Sequence, residues 1–205
     1  MLRPALSLLL VLTFISGVLY PLAITGVAQM IFPHQANGSL IERDGAPIGS
    51  SLVGQAFADP GRFWPRPSAT GPRPYTAFNG TTLTGSSGSN WGTTAPELVA
   101  GVQERIAELN AGDAAVGLVR QPGALIPVDL VTASASGLDP AVSPAGAEYQ
   151  IPRIAKATGL SEQTLRAIVR QHTIAPFLGV FGEPAVNVLE ANLEIIDTLA
   201  SGNAH

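Results

Sequence analysis

Cysteine is absent from this chain, so disulfides, thiolate metal sites and cysteine nucleophiles are excluded. Charge is scarce as well. Asp, Glu, Lys and Arg make up only 13% of the residues, and the net charge is -4. A nucleic-acid backbone has to be neutralised by Lys and Arg, so this balance argues against nucleic acid as a partner. Histidine occurs three times, at His34, His172 and His205. The His, Asp and Glu residues show no metal-ligand spacing. No phosphate loop ending in Gly-Lys is present. Nor is there a G-x-S-x-G elbow: Gly85-Ser86-Ser87-Gly88-Ser89 has the wrong spacing for one.

What the chain does have is one long uncharged run. Residues 4–41 hold no Asp, Glu, Lys or Arg, and 4–32 are almost wholly apolar. A helix crossing the hydrocarbon core of a bilayer needs about 20 such residues. A signal-peptide core is usually about 7–15 residues, so the run reads as an uncleaved anchor despite the small-x-small pattern Gly26-Val27-Ala28 before Gln29. The expected organisation is a membrane anchor over residues 1–34, spanning at about 4–31, and a soluble domain over 35–205. Pro21 should kink the anchor or end its hydrogen-bonded ladder locally. Thr13 and Gly17, four residues apart, allow close approach of another helix. Arg3 sits at the edge of the span, and Arg43 lies well beyond it between two acids. The positive-inside rule then places the N-terminus inside and the domain outside the cytoplasmic membrane.

The remainder is polar enough to fold in water, and its 22 glycines and 17 prolines, counted over the whole chain, mark a loop-rich domain. Residues 48–57 read as a short strand. Residues 59–75 carry five prolines, with Phe63, Trp64 and Tyr75 interleaved among Arg62, Arg66 and Arg73. That mixture of aromatic rings and arginines is typical of interface hot spots, and the prolines hold it in one shape before binding. Trp64 and Arg66, with Phe63, are the expected partner-facing residues. Residues 76–93 are rich in Gly, Ser, Thr and Asn and read as a mobile loop.

Thr94 and Glu97 form a capping box, and Leu98, Val102, Ile106 and Leu109 recur at helical spacing, which predicts a helix over about 95–110. Residues 125–131 read as a buried strand. Ser143-Pro144 opens another helix. Pro152 should interrupt it and begin a second short helix ending at Gly159. Ser161 caps the next helix, with Leu160 stapling onto Leu165, and Asn187 with Glu190 starts the last one. Leu189, Leu193, Ile196 and Ala200 are its expected inner stripe. The fold class is α+β: a single N-terminal transmembrane helix followed by one soluble α+β domain.

Two other readings compete. Residues 154–161 with Thr164, Leu165, Arg166 and Ile168 look like a helix-turn-helix. A DNA-binding regulator tethered to the membrane would read bases with Gln163, Arg166 and Arg170. An exported serine hydrolase would need His172 as its base, with Asp129 or Asp139 behind it. The acidic chain and the expected topology oppose the first; the missing elbow opposes the second.

Several blocks together resemble a known family. They are Gly54-Gln55-x-Phe57-x-x-Pro60, Phe63, Arg66-Pro67-Ser68 and Ser89-Asn90. Val128-Asp129-Leu130-Val131-Thr132-Ala133-Ser134, then Ser136-Gly137-Leu138-Asp139-Pro140 and Ser143-Pro144, form the most specific block. Gln150, Pro152-Arg153, Ala155, Val186-Asn187-Val188-Leu189 and Asn192-Leu193 complete it. The pattern resembles the C subunit of the bacterial potassium-transporting P-type ATPase, the Kdp system. Ser87 stands where that family has a glycine, and Thr158 where Arg is common. The resemblance implies a single-pass subunit of the inner membrane with its C-terminal domain extracytoplasmic. It would be non-catalytic, with no metal and no cofactor of its own. Its partners would be a channel-like potassium-binding subunit, an ATP-hydrolysing P-type subunit and membrane lipid. The family is described both as an assembly factor and as a catalytic chaperone raising the catalytic subunit's ATP affinity, so ATP would enter through the complex. Asp139, in the most specific block, joins Trp64, Arg66 and Phe63 as an expected interface residue; its Asp-Pro turn and neighbouring serines also suit an internal turn scaffold.

Overall fold

A computed structural model describes residues 2–202, so His205 lies outside the described residues. The chain divides into two compact units between Ser50 and Ser51, whereas the sequence places the boundary after residue 34.

The first unit opens with the apolar segment, helical from Leu2 to Ile31 and long and apolar enough to cross a membrane. It comprises α1 (Leu2–Phe14), a π-helical stretch (Ile15–Leu19) and α2 (Tyr20–Ile31). None of its side chains is buried within the chain. Pro21 does not end the helix. A proline ring displaces the carbonyl one turn earlier and removes a donor. The helix widens just before Pro21, where Tyr20 N–H donates to Ile15 O five residues back. A short α3 (Pro33–Ala36) follows, and the Gln29 and Asn37 amides bond each other at 3.2 Å in both directions. Strands β1 (Leu40–Arg43) and β2 (Ala46–Ser50) then pair antiparallel around Asp44-Gly45. Both turn residues have positive φ, 54° and 76°, which an Asp-Gly pair accepts readily. The expected strand over 48–57 is thus displaced towards the N-terminus: β2 ends at Ser50, and the chain over 54–57 runs outside any strand.

The second unit is an α+β domain. A three-stranded antiparallel sheet, in the order β5 (Ala141–Val142), β7 (Ala185–Asn187), β6 (Thr173–Ile174), carries helices α5 (Pro144–Thr158), α6 (Glu162–Gln171) and α7 (Val188–Gly202). Ile151, Ile154, Leu165, Ala191 and Ile195 have no exposed surface and form the centre of the core, with Phe63, Val142 and Val186 beside them. Residues 76–93 fold into a small hairpin of β3 (Phe78–Asn79) and β4 (Thr84–Gly85), and Ser86 Oγ ties it to Ser136 O at 2.9 Å.

Helix starts follow the sequence in three of four cases. Ser143 Oγ accepts from Gly146 N–H at 2.9 Å, Ser161 Oγ from Thr164 N–H at 3.0 Å, and Asn187 Oδ1 from Glu190 N–H at 3.1 Å. α4 (Pro96–Ala115) differs: its cap is Ala95 with Pro96 in the first turn, so Thr94 lies one residue too early to close a capping box.

Three further expectations are corrected. Helix α5 runs unbroken through Pro152. A proline inside a helix costs about 3 kcal/mol, but the turns on either side bury Ile151 and Ile154 completely, at about 1.5–3 kcal/mol each. Gly159, at φ 78°, ends this helix as expected. Residues 125–131 form a 3-10 turn (Val128–Leu130), not a strand: Leu125 and Val128 point to solvent and Leu130 alone is buried. On α7 the inner stripe is Val188, Leu189, Ala191, Asn192 and Ile195, and Ala200 faces out.

Candidate functional site

The loop 59–75 is held from beneath by buried polar side chains. Main-chain groups in a loop without a sheet partner still need hydrogen bonds once buried. Asn192 on α7 supplies both for Phe63: Oδ1 accepts from Phe63 N–H at 2.8 Å and Nδ2 donates to Phe63 O at 3.0 Å. Gln150 on α5 does the same for Trp64, accepting at 2.7 Å and donating at 3.1 Å. Each amide replaces one residue of a neighbouring strand. Phe63 is 1% exposed and packs into the core.

Arg153, one turn beyond Gln150 and also buried, donates to Pro60 O at 2.7 Å, Arg62 O at 3.2 Å and Gln150 Oε1 at 2.7 Å. Its guanidinium lies 4.3 Å from the centre of the Trp64 ring. A buried cation needs a counter-charge. Asp113 on α4 provides it at 3.8 Å and also holds Arg120, which stacks on Tyr149 at 3.6 Å. Burial pushes the Arg153 guanidinium down to about 10, and the Asp113 carboxylate opposes that fall.

Trp64 is therefore fixed on both edges. Its Nε1–H donates to Asp59 O at 2.9 Å, and its ring fills the space left by Gly112, where a Cβ would come within 2.5 Å of it. Arg66 is half-buried. It donates to Asp139 Oδ2 at 3.1 Å and to Ala133 O at 3.4 Å, while its Nε is buried without a partner. Tyr75 OH donates to Arg66 O at 2.6 Å, and burial raises the tyrosine's pKa, helped by the Asp139 charge. Between this loop and α4 lies a mainly apolar cleft of about 600 Å³, lined by Trp64, Arg66, Tyr75, Arg105, Glu108 and Leu130 among others.

Asp139 joins the loop to the segment 128–144. Its Oδ1 accepts from Ala141 N–H at 3.0 Å and its Oδ2 receives Arg66. Ser134 and Ser136 cap the adjoining turns by accepting from Gly137 and Leu138 N–H, and Asp129 accepts from Ser143 N–H at 2.7 Å. Gly54 is pressed against the same turn. Its N–H donates to Leu138 O at 2.9 Å, and a Cβ would sit 2.4 Å from Asp139 O.

Of the four expected interface residues, Trp64, Arg66 and Asp139 are thus brought together around the cleft and its rim, and Phe63 is the core anchor of the same loop. Gln150, Arg153, Asn192, Asp113 and Arg120 have no assigned role in the sequence reading. Their signal is a polar side chain on an otherwise apolar helical face, as at Gln150 and Arg153 between Ala147, Ile151 and Ile154. The residues of the competing readings lie elsewhere. Arg166 is paired with Glu148 and Glu162 at 2.7 and 2.9 Å, which raises its pKa. His172 faces Glu190 at 3.5 Å and Glu194 at 4.0 Å rather than a serine.

The profile of the family described as KdpC, the c chain of K+-transporting ATPases, matches residues 2–197. The chain is 54% identical over 205 residues to the potassium-transporting ATPase KdpC subunit of Polaromonas naphthalenivorans, covering 99% of this chain and 97% of that one. It is 53% identical to the subunit of that name from Sorangium cellulosum, over 95% and 96% of the two chains. Against that of Herpetosiphon aurantiacus the identity is 51%, over 94% of each.

Proposed function

This chain belongs to the KdpC family, the c chains of K+-transporting ATPases, and from that premise we propose that it is a single-span accessory subunit that holds the pump together. As a c chain it is a component of a potassium uptake pump. In our reading the helical segment Leu2–Ile31 anchors it in the cytoplasmic membrane, and Arg3 keeps the N-terminus inside. The α+β domain then lies outside, capping the potassium-binding subunit and shaping how the cation reaches it. ATP meets the complex on the other side, through the ATP-hydrolysing subunit, so this chain's influence on ATP affinity is transmitted by assembly.

The observation that carries this reading is the match of nearly the whole chain, anchor included, to one family of pump subunits. The contact residues we assign are Trp64 and Arg66, which line the cleft, with Asp139 holding Arg66 in place. Phe63 contributes by fixing the loop's backbone. The deciding experiment removes the gene from a strain that depends on this pump. Growth at low potassium should stop and return with the gene on a plasmid. Undiminished high-affinity uptake in the deletion strain would end the proposal.

A further inference from the structure

Strands β6 and β7 are joined by a turn whose tip is apolar. Residues 176–182 read Pro-Phe-Leu-Gly-Val-Phe-Gly. Phe177, Leu178, Val180 and Phe181 are 71%, 75%, 76% and 65% exposed. Scattered apolar residues are normal on a protein surface, but four large ones in five consecutive positions form a patch that marks an interaction site. The tip is built to hold this shape. Phe177 N–H donates to Phe181 O at 2.8 Å and Phe181 N–H to Phe177 O at 2.9 Å. Gly179 N–H donates to Pro176 O at 3.0 Å, inside that ring. Leu178 is held at φ 55°, a conformation bulky side chains rarely adopt. Such a closed turn loses little conformational freedom on docking.

The chemistry of the tip selects the occupant. A bilayer surface is negatively charged and favours Lys, Arg, Trp and Tyr. Residues 173–185 contain none of these, and the only charge among them is Glu183. A nucleic acid is opposed for the same reason. Rigid phenylalanines on an uncharged knob instead fit a preformed apolar pocket in another protein. We propose that residues 176–182 plug into an apolar cleft of a partner subunit of the pump, with a cation or N–H donor on the cleft rim facing Glu183. This rests on the subunit reading above and adds the surface through which it acts.

The chain has no cysteine, so Val180→Cys gives a single attachment point for a benzophenone-maleimide photocrosslinker. The full chain is produced in membranes together with the other pump subunits. Illumination should yield one adduct, with the mass of this chain plus one of those subunits. Adducts with lipid alone, or with a second copy of this chain, would overturn the proposal, as would no adduct. In parallel, Val180→Asp should leave the melting temperature of the full chain unchanged and reduce the recovered complex by about tenfold, the effect of one hot-spot residue. Full recovery of the complex with Val180→Asp sinks the plug alone. Failure of the wild-type chain to associate with those subunits sinks the subunit reading as well.

Discussion

Asp139 and Gln150 show how much of this domain depends on single polar groups placed where the chain has few. Asp139 closes its own Asp-Pro turn and pairs with half-buried Arg66 at 3.1 Å. Replacing it with alanine should cost about 1 kcal/mol from the turn bond and the exchanged ion pair, read as a lower urea midpoint with an unchanged slope. Gln150→Glu is a sharper probe. The carboxylate keeps the volume and can still accept from Trp64 N–H, but it cannot donate to Trp64 O, and it buries a charge. Destabilisation of about 1–3 kcal/mol is expected, and a melting curve that matches wild type would show that the amide is not a clamp. Tyr75 sets a pH limit. Its folded pKa lies above the unfolded value near 10, chiefly through burial, so the folded state holds a proton that the unfolded state loses. Its contribution is complete below pH 10 and declines as pH rises above that. Wild type should therefore lose stability relative to Tyr75→Phe between pH 9 and pH 11, measured as the difference in urea midpoints.

Elements in this fold are positioned by close approaches as much as by apolar stripes. Helix α4 meets the loop where Gly112 faces Trp64. Gly112→Ala puts a Cβ within 2.5 Å of a ring that Arg153 holds from the other side, so the helix or the ring must shift. Overpacking of this kind costs about 1–3 kcal/mol, which thermal unfolding would detect, and a blue-shifted or quenched change in Trp64 emission should accompany it. Helix caps were legible in the sequence because Ser143, Ser161 and Asn187 act on groups three residues away. Pro152 was misread because a local rule was outweighed by burial of Ile151 and Ile154, which depends on elements far along the chain. The stripe of α7 was misplaced for a related reason. Asn192 looks polar and therefore exposed, yet it is completely buried because the backbone of Phe63 needs it. The interface loop was legible as a composition of aromatics, arginines and prolines. Its supporting amides were not, since their partners are 86 and 129 residues away.

For the whole molecule, the two compact units have opposite solvents. One is a continuous apolar helix with nothing buried in it, and the other has a core of its own. Topology then determines what the domain can touch. Alkaline phosphatase fused after Gly202 should be active in cells, and the same fusion with a cytoplasmic reporter should be silent. The reverse pattern would place the domain on the ATP side and revive a regulator reading. Neither unit alone is expected to support growth at low potassium, because the helix supplies the membrane location and the domain the contacts.

The amides of Gln150 and Asn192 grip peptide groups, and so does most of the Arg153 fork. Peptide groups are the same whatever residue carries them. The outward side chains of the loop, such as those of Ala58 and Arg62, can thus be exchanged without altering the shape they are displayed on. A lineage whose partner subunit drifts could follow it by point changes on this outer edge alone. The frame beneath would stay fixed, much as a type case holds whatever letters are set in it.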